Sequence, residues 1–248
     1  MRRLSIYLAW LLLTATVTQL SGCRKLIDVL FHDHGHQDKT CNIKRFGQRT
    51  GFGELLMYAD VSYNEKGNPV SVIFDSLNNI TPWHFFEYDG MNRLVEYRVE
   101  WGPGREFYKE IHHYGYSDEG LITIDTAYLE VEGTFNLIYY LEYDDQDRVV
   151  KQDEYILHDD GTTSYFRTLN FEYGTDGNLI VENKMYDDKP SFIATNKTWQ
   201  FISRDYSNNN VAGALTYNEN GLPLTFDEPN GGSFLGNSTP AFIEYECE

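Results

Sequence analysis

Basic residues and cysteines are both scarce in this chain. Its 248 residues hold 20 lysines and arginines against 38 aspartates and glutamates, a formal net charge of −18, and only three cysteines. The shortage of positive charge argues against a nucleic-acid binder, because gripping a phosphate backbone takes a basic surface. It equally disfavours adhesion of the folded part to anionic lipid, and solubility alone accounts for the acidic excess. Long apolar runs are missing as well. The stretch Leu4 to Val17 is too short for a usual membrane span. There is no G-x-S-x-G, H-E-x-x-H or C-x-x-C, and no glycine loop for phosphate. Carboxylates are plentiful, so a pair suited to glycoside hydrolysis stays open, but nothing singles one out.

What the chain has is a repeat, and repeats decide architecture. "FEYGTDGNLI" (Phe171 to Ile180) recurs in variant form about six times, anchored on Tyr63, Tyr88, Tyr116, Tyr143, Tyr173 and Tyr217. The steps are 25, 28, 27, 30 and 44 residues, and the last is long enough to hide a degenerate copy at Tyr206. Four residues after each anchor stand Gly67, Asn92, Gly120, Asp147, Gly177 and Gly221. These residue types tolerate positive φ, which a type I turn followed by a left-handed residue requires in a hairpin. Two residues before each anchor stand Val61, Phe86, Tyr114, Leu141, Phe171 and Leu215, and between them and the anchors stand mostly polar residues. That alternation predicts strands with one buried face. Each repeat therefore reads as strand, tight turn, strand.

The Y-[DN]-x-x-G-x-[LP] pattern resembles the YD repeat, also called the RHS repeat, over roughly Tyr63 to Phe226. The whole chain is similar to small YD-repeat lipoproteins of Gram-negative envelopes, some in a domain family of unknown function with a porin-like β-fold. The resemblance implies hairpin architecture and says little about activity. Six or seven repeats are too few to enclose a cargo, as large YD-repeat toxins do.

The N-terminus carries Arg2 and Arg3, the apolar stretch, and then Leu20-Ser21-Gly22-Cys23. This resembles a lipobox, with Cys23 lipidated and holding the chain at a membrane surface. Arg24 follows where an aspartate retains some lipoproteins in the inner membrane, so the expected address is the outer membrane. The expected organisation is a signal peptide over 1–22, a lipidated and flexible tether over 23–40, and one β-domain over 41–248. Cleavage leaves 18 basic residues against 38 acidic ones (Arg2 and Arg3 being lost), a net charge of −20.

The expected fold is all-β: an antiparallel up-and-down meander of about 12–14 strands, curled into a closed or nearly closed barrel. In an oxidising compartment Cys41 and Cys247 are an even pair expected to bond, bringing first and last strands together. Insertion of the domain into the membrane is not expected. Glu87, Glu142 and Glu172 precede turns on one strand face, Glu248 is charged, and the strands are short.

Other chemistry is thin. His32, His34 and His36 alternate with Asp33 in the tether and form a candidate Zn²⁺, Cu²⁺ or Ni²⁺ site. His112 and His113 are adjacent in a strand and so point to opposite faces; His84 and His112 share one face. Asp144, Asp145 and Asp147, and the pair Asp187-Asp188, are weak calcium candidates. Trp83, Trp101 and Trp199 suit a core better than a sugar platform. Asp75-Ser76-Leu77 and Asp125-Thr126-Ala127 resemble a short O-glycosylation sequon. No cofactor is expected. The functional expectation is a non-enzymatic envelope lipoprotein binding a carbohydrate or protein partner, with a glycosidase-like enzyme and a metal carrier as alternatives.

Overall fold

The computed structural model describes residues 41–49, 56–75, 82–101, 109–130, 134–226, 234–235 and 240–247. Cys23, His32, His34 and His36 lie outside the described residues.

Each turn of the repeat has a small, fixed chemistry. In the first copy Asn64 N–H donates to Asn68 O and Gly67 N–H donates to Asn64 O, both at 2.9 Å. The same two bonds recur around Asp89, Ser117, Asp144, Gly174 and Asn218. Gly67, Asn92, Gly120, Asp147, Gly177 and Gly221 all have φ between 58° and 86°. The residue after the tyrosine stiffens the turn. Asn64 Oδ1 accepts from Lys66 N and Asn68 N, and Asp89 and Asp144 do the same two and four residues on. An aspartate or asparagine suits this place because its short acceptor reaches its own backbone.

The tyrosine itself ties neighbouring repeats. Its hydroxyl donates to the carbonyl six residues after the preceding anchor: Tyr88 to Pro69 at 2.9 Å, Tyr116 to Leu94 and Tyr143 to Ile122 at 2.7 Å. Tyr63 donates to Ile43 O and Tyr245 to Pro223 O, both at 2.9 Å. A phenol here is both core volume and a rung between turns. Arg93 and Arg148 add a second tie, lying 4.7 and 4.2 Å over the rings of Tyr116 and Tyr173.

Among the described residues the meander begins with β1 Cys41–Arg49, β2 Leu56–Tyr63, β3 Pro69–Phe74, β4 Trp83–Tyr88, β5 Leu94–Glu100, β6 Lys109–Tyr116, β7 Ile122–Leu129, β8 Asn136–Tyr143 and β9 Val149–Leu157. Then come β10 Thr163–Asn170, β11 Tyr186–Pro190, the helix α1 Lys197–Ser203, β12 Asn209–Val211, β13 Ala214–Tyr217, β14 Pro223–Phe226 and β15 Pro240–Cys247. Among the described residues the main sheet is antiparallel and has thirteen strands, ordered β10 through β1 in sequence and then β15-β14-β13. β1 and β15 pair from Cys41↔Cys247 to Gln48↔Pro240. Cys41 and Cys247 are disulfide-bonded, with Cα atoms 4.0 Å apart.

The expected closed barrel is not found. The described sheet ends at β10 on one side and β13 on the other, and no pairing joins them. The reason is the segment 171–213. After the fifth turn only Tyr173↔Leu179 pairs, and the chain leaves the sheet to form β11, β12 and α1. The rungs fail at the same place: the Tyr173 hydroxyl is buried without a hydrogen-bond partner, and the Tyr217 hydroxyl turns to Asp187. The degenerate copy expected at Tyr206 is not a turn of this kind, because Asn210, four residues on, is not among the positive-φ residues. Leu215 was expected inward and is 61% exposed, since β13 and β14 pair irregularly around Thr216.

A helix was not foreseen in this stretch. Asn196 caps it, Oδ1 accepting from Thr198 N at 2.9 Å. α1 lies on the inner face of the sheet and fills the space that a small barrel would fill with strand side chains. Trp199 is fully buried and meets Phe86 and Phe234 edge-on at 5.5 and 5.4 Å. Phe46, Val72 and Ile243 close the core around it.

Position-specific costs follow from the turns. A Cβ on Gly120 would meet nothing within 4 Å, whereas one on Gly177 would sit 2.1 Å from Asn208 Nδ2. Both have positive φ. Gly120→Ala should therefore cost about 1 kcal/mol from backbone strain alone. Gly177→Ala should cost about 1 kcal/mol more, since Asn208 must also give up its bond to Asp176 O. Urea midpoints of the two variants check this, and equal losses would refute it.

Candidate functional site

Two places on the inner face carry polar chemistry. The first is a seam under β6 to β10. His112 lies between two carboxylates, with Nδ1 2.7 Å from Asp125 Oδ1 and Nε2 3.0 Å from Glu110 Oε1. Arg204, the C-cap of α1, donates from Nη2 to Asp125 Oδ2 at 2.9 Å and from Nε to Gln152 Oε1 at 3.0 Å. Gln152 Nε2 donates to Glu154 Oε1 at 2.9 Å, and Arg167 grips Glu154 with two bonds of 2.7 and 3.2 Å. Asp125 and Glu154 are each 2% exposed. Arg204 holds φ = 50°, a left-handed conformation that costs a non-glycine residue energy. Its guanidinium contacts to the strands offset that and pin α1 to the sheet.

The seam is closed chemically. Both buried carboxylates accept from a guanidinium and a second donor, so their oxygens are engaged within the protein. Among the described residues no group of three or more His, Cys, Asp or Glu side chains could hold a metal ion. Two of the calcium candidates are spent in the same way: Asp144 serves its turn and Arg148, and Asp187 accepts from Asn210 and Tyr217. Asp125, the sequon residue, is part of the seam.

His84 and His112 are both on the inner face, in opposite states. Burial pushes His84 down to about 4, only partly opposed by Glu110, and its Nδ1 lies 2.7 Å from the Tyr97 hydroxyl. Burial acts the same way on His112, but the charge and hydrogen bond of Asp125, with Glu110, outweigh it and raise the imidazole to about 9. The signs then differ. His112 contributes stability that is complete below the unfolded value near 6.5 and is lost as pH rises through about 9. His84 stays neutral while the unfolded chain protonates, so its effect is a loss of stability as pH falls from about 6.5 towards 4. Each is worth up to about 3 kcal/mol. Urea midpoints between pH 5 and 9.5 should peak near neutrality, and His112→Gln should flatten the alkaline limb. An alkaline limb unchanged in that variant would refute the assignment.

The second place is a cleft of about 480 Å³ at the row of turns. Three rung tyrosines, Tyr88, Tyr116 and Tyr143, line it together with Leu94 and Ile122, and α1 contributes Lys197, Thr198, Gln200 and Phe201. The rung hydroxyls are committed to backbone carbonyls, so the tyrosines offer ring surface. Burial raises Tyr88 and Tyr116 to about 12, which keeps both neutral at physiological pH. Around this apolar lining stand Asn68, Gln146, Lys197 and Gln200. Their side chains have no hydrogen bond or ion pair among the described residues. Trp83 and Trp199 take no part: Trp83 Nε1 donates to Phe74 O, and Trp199 is core.

Sequence reasoning did not find either place, although one signal was available. Aligned on the anchors, the position nine residues on reads Val72, Tyr97, Asp125 and Gln152, and two further on Phe74, Val99, Ala127 and Glu154. The inward face therefore turns from apolar to polar across the repeats. Comparison with protein-family models finds no match to this chain, and no curated protein matches it.

Proposed function

We propose that this protein is a non-enzymatic envelope lipoprotein of YD-repeat type whose β-domain binds a small polyhydroxylated ligand in the cleft at the turn row. The observation that carries the reading is the lining of that cleft: aromatic surface from the rungs, ringed by amides and an ammonium that the protein leaves unpaired. Ring faces pack on the C–H faces of a sugar, and amides donate and accept to its hydroxyls. A volume of about 480 Å³ suits one or two sugar rings. The closed ion pairs of the inner seam favour binding over hydrolysis. Leu20 to Cys23, with Arg24 after it, support a lipid anchor in the outer membrane.

Calorimetric titration against neutral mono- and disaccharides tests this. At least one should bind, and Gln146→Ala with Gln200→Ala should weaken it about tenfold, the worth of roughly one net hydrogen bond. Loss of no affinity in the double variant would overturn the cleft as the site.

A further inference from the structure

β10 is an open edge of the main sheet among the described residues. In the first four repeats the strand after the turn runs back along the strand before it: β2 with β3, β4 with β5, β6 with β7, β8 with β9. The fifth copy lacks this return. Its turn is made, Ile180 N–H donates to Glu172 O, and the chain then turns away through Asn183 at φ = 61°. Lys184 is held by Asp205 at 2.7 Å and Tyr186 pairs with Val211, which keeps the segment off the sheet. Ile180, Val181 and Met185 are left 61, 46 and 73% exposed. One strand's place beside β10 is thus unfilled among the described residues.

The two sheet edges are treated differently. β13 has four residues, two register breaks and a tyrosine bound to β11. Short, irregular edges of that kind resist pairing. β10 has eight residues, TSYFRTLN, with one register break between Tyr165 and Arg167, a regular run from Arg167 to Asn170, and neither proline nor lysine to discourage a partner. Tyr165 and Phe166 on it are 61 and 52% exposed. Phe171 N–H donates to Val150 O of β9, and successive N–H groups alternate in direction, so those of Thr168 and Asn170 point outward.

We propose that β10 takes an extended strand from another polypeptide, one with basic residues at its flanks. Charge complementarity selects it. Exposed Asp159 and Asp160 stand before β10, and exposed Glu172 and Glu182 stand after it. Arg167 and Lys184, the nearby cations, are already spent on Glu154 and Asp205. A second copy of this chain is a poor occupant. Antiparallel β10–β10 pairing would set one acidic end against the other, between molecules that each carry a formal −18. Backbone bonds along the edge supply affinity, and Tyr165 and Phe166 supply apolar contact for alternate side chains.

The probe is a fluorescent peptide of alternating threonine and valine flanked by two lysines at each end, titrated into the full chain in detergent. Saturable binding is expected, with slowed hydrogen exchange at the Thr168 and Asn170 amides. Replacing the flanking lysines by glutamate should weaken it at least about tenfold, since like charges across an interface repel. Asn170→Pro removes an outward donor and is tolerable on an edge strand, so it should weaken binding by about tenfold while leaving the unfolding midpoint near its original value. A basic peptide with alternate prolines, which cannot pair, should not bind. The proposal is overturned if that peptide binds equally, if Asn170→Pro has no effect, if nothing binds, or if the chain dimerises through β10 on its own.

Discussion

Replacing Cys41 and Cys247 by serine is expected to cost the domain about 3–5 kcal/mol. The two residues are 206 apart in sequence, and their bond locks the pairing of β1 with β15. Among the described strands that pairing alone connects β13, β14 and β15 to the rest of the main sheet. A loop so long closes at high entropic cost, and the bond removes that cost from folding by restricting the unfolded chain. Denaturation by urea with and without reductant measures it. A loss below about 1 kcal/mol would mean that the strand pairing holds unaided and that the unfolded chain is already compact.

Trp199→Ala should cost about 3–5 kcal/mol, because it opens a cavity where the surrounding rings cannot all collapse. Phe86 comes from the sheet and Phe234 from the stretch between β14 and β15, and both meet the indole. The loss would also loosen α1, whose Thr198, Gln200 and Phe201 wall the cleft. Binding should therefore fall together with stability, whereas Gln146→Ala and Gln200→Ala should affect binding alone. A stable Trp199→Ala protein would show that α1 is held by Arg204 and its cap, and that the indole is incidental.

Much of the fold was legible in the sequence because its signals are local. Alternation before the anchors and a positive-φ residue four places after them are enough to specify hairpins, and the large antiparallel meander is what hairpins in series build. The aspartate or asparagine after Tyr63, Tyr88, Tyr143 and Tyr217 was visible too, though its partner atoms were not. Closure was illegible, since it depends on whether one copy completes its return strand. In the fifth copy "LIVENKMY" reads like any other return strand. What diverts it is the salt bridge of Lys184 to Asp205 and the pairing of Tyr186 with Val211, contacts between residues twenty or more apart. α1 was missed because seven residues are too few for a periodicity, and Asn196 is one asparagine in an asparagine-rich stretch.

The candidate site was less legible than the fold. Its tyrosines were noticed as anchors, which is their structural role, and the cleft arises only when α1 lies across three of them. Arg204 gave no warning, lying in the least repeat-like part of the chain. The polar drift from Val72 and Tyr97 to Asp125 and Gln152 did carry the inner seam, for a reader who stacked the copies at the ninth position.

The proposed function rests on where a ligand sits. Chemical-shift mapping of the labelled protein, titrated with the saccharide that binds best in calorimetry, locates it directly. Ring and amide resonances of Tyr88, Tyr116, Tyr143, Gln146 and Gln200 should shift, while those of His112, Asp125, Glu154 and Arg167 stay in place. Shifts gathered on the inner seam, with the turn row silent, would contradict the account and return the buried carboxylates to consideration as the working groups.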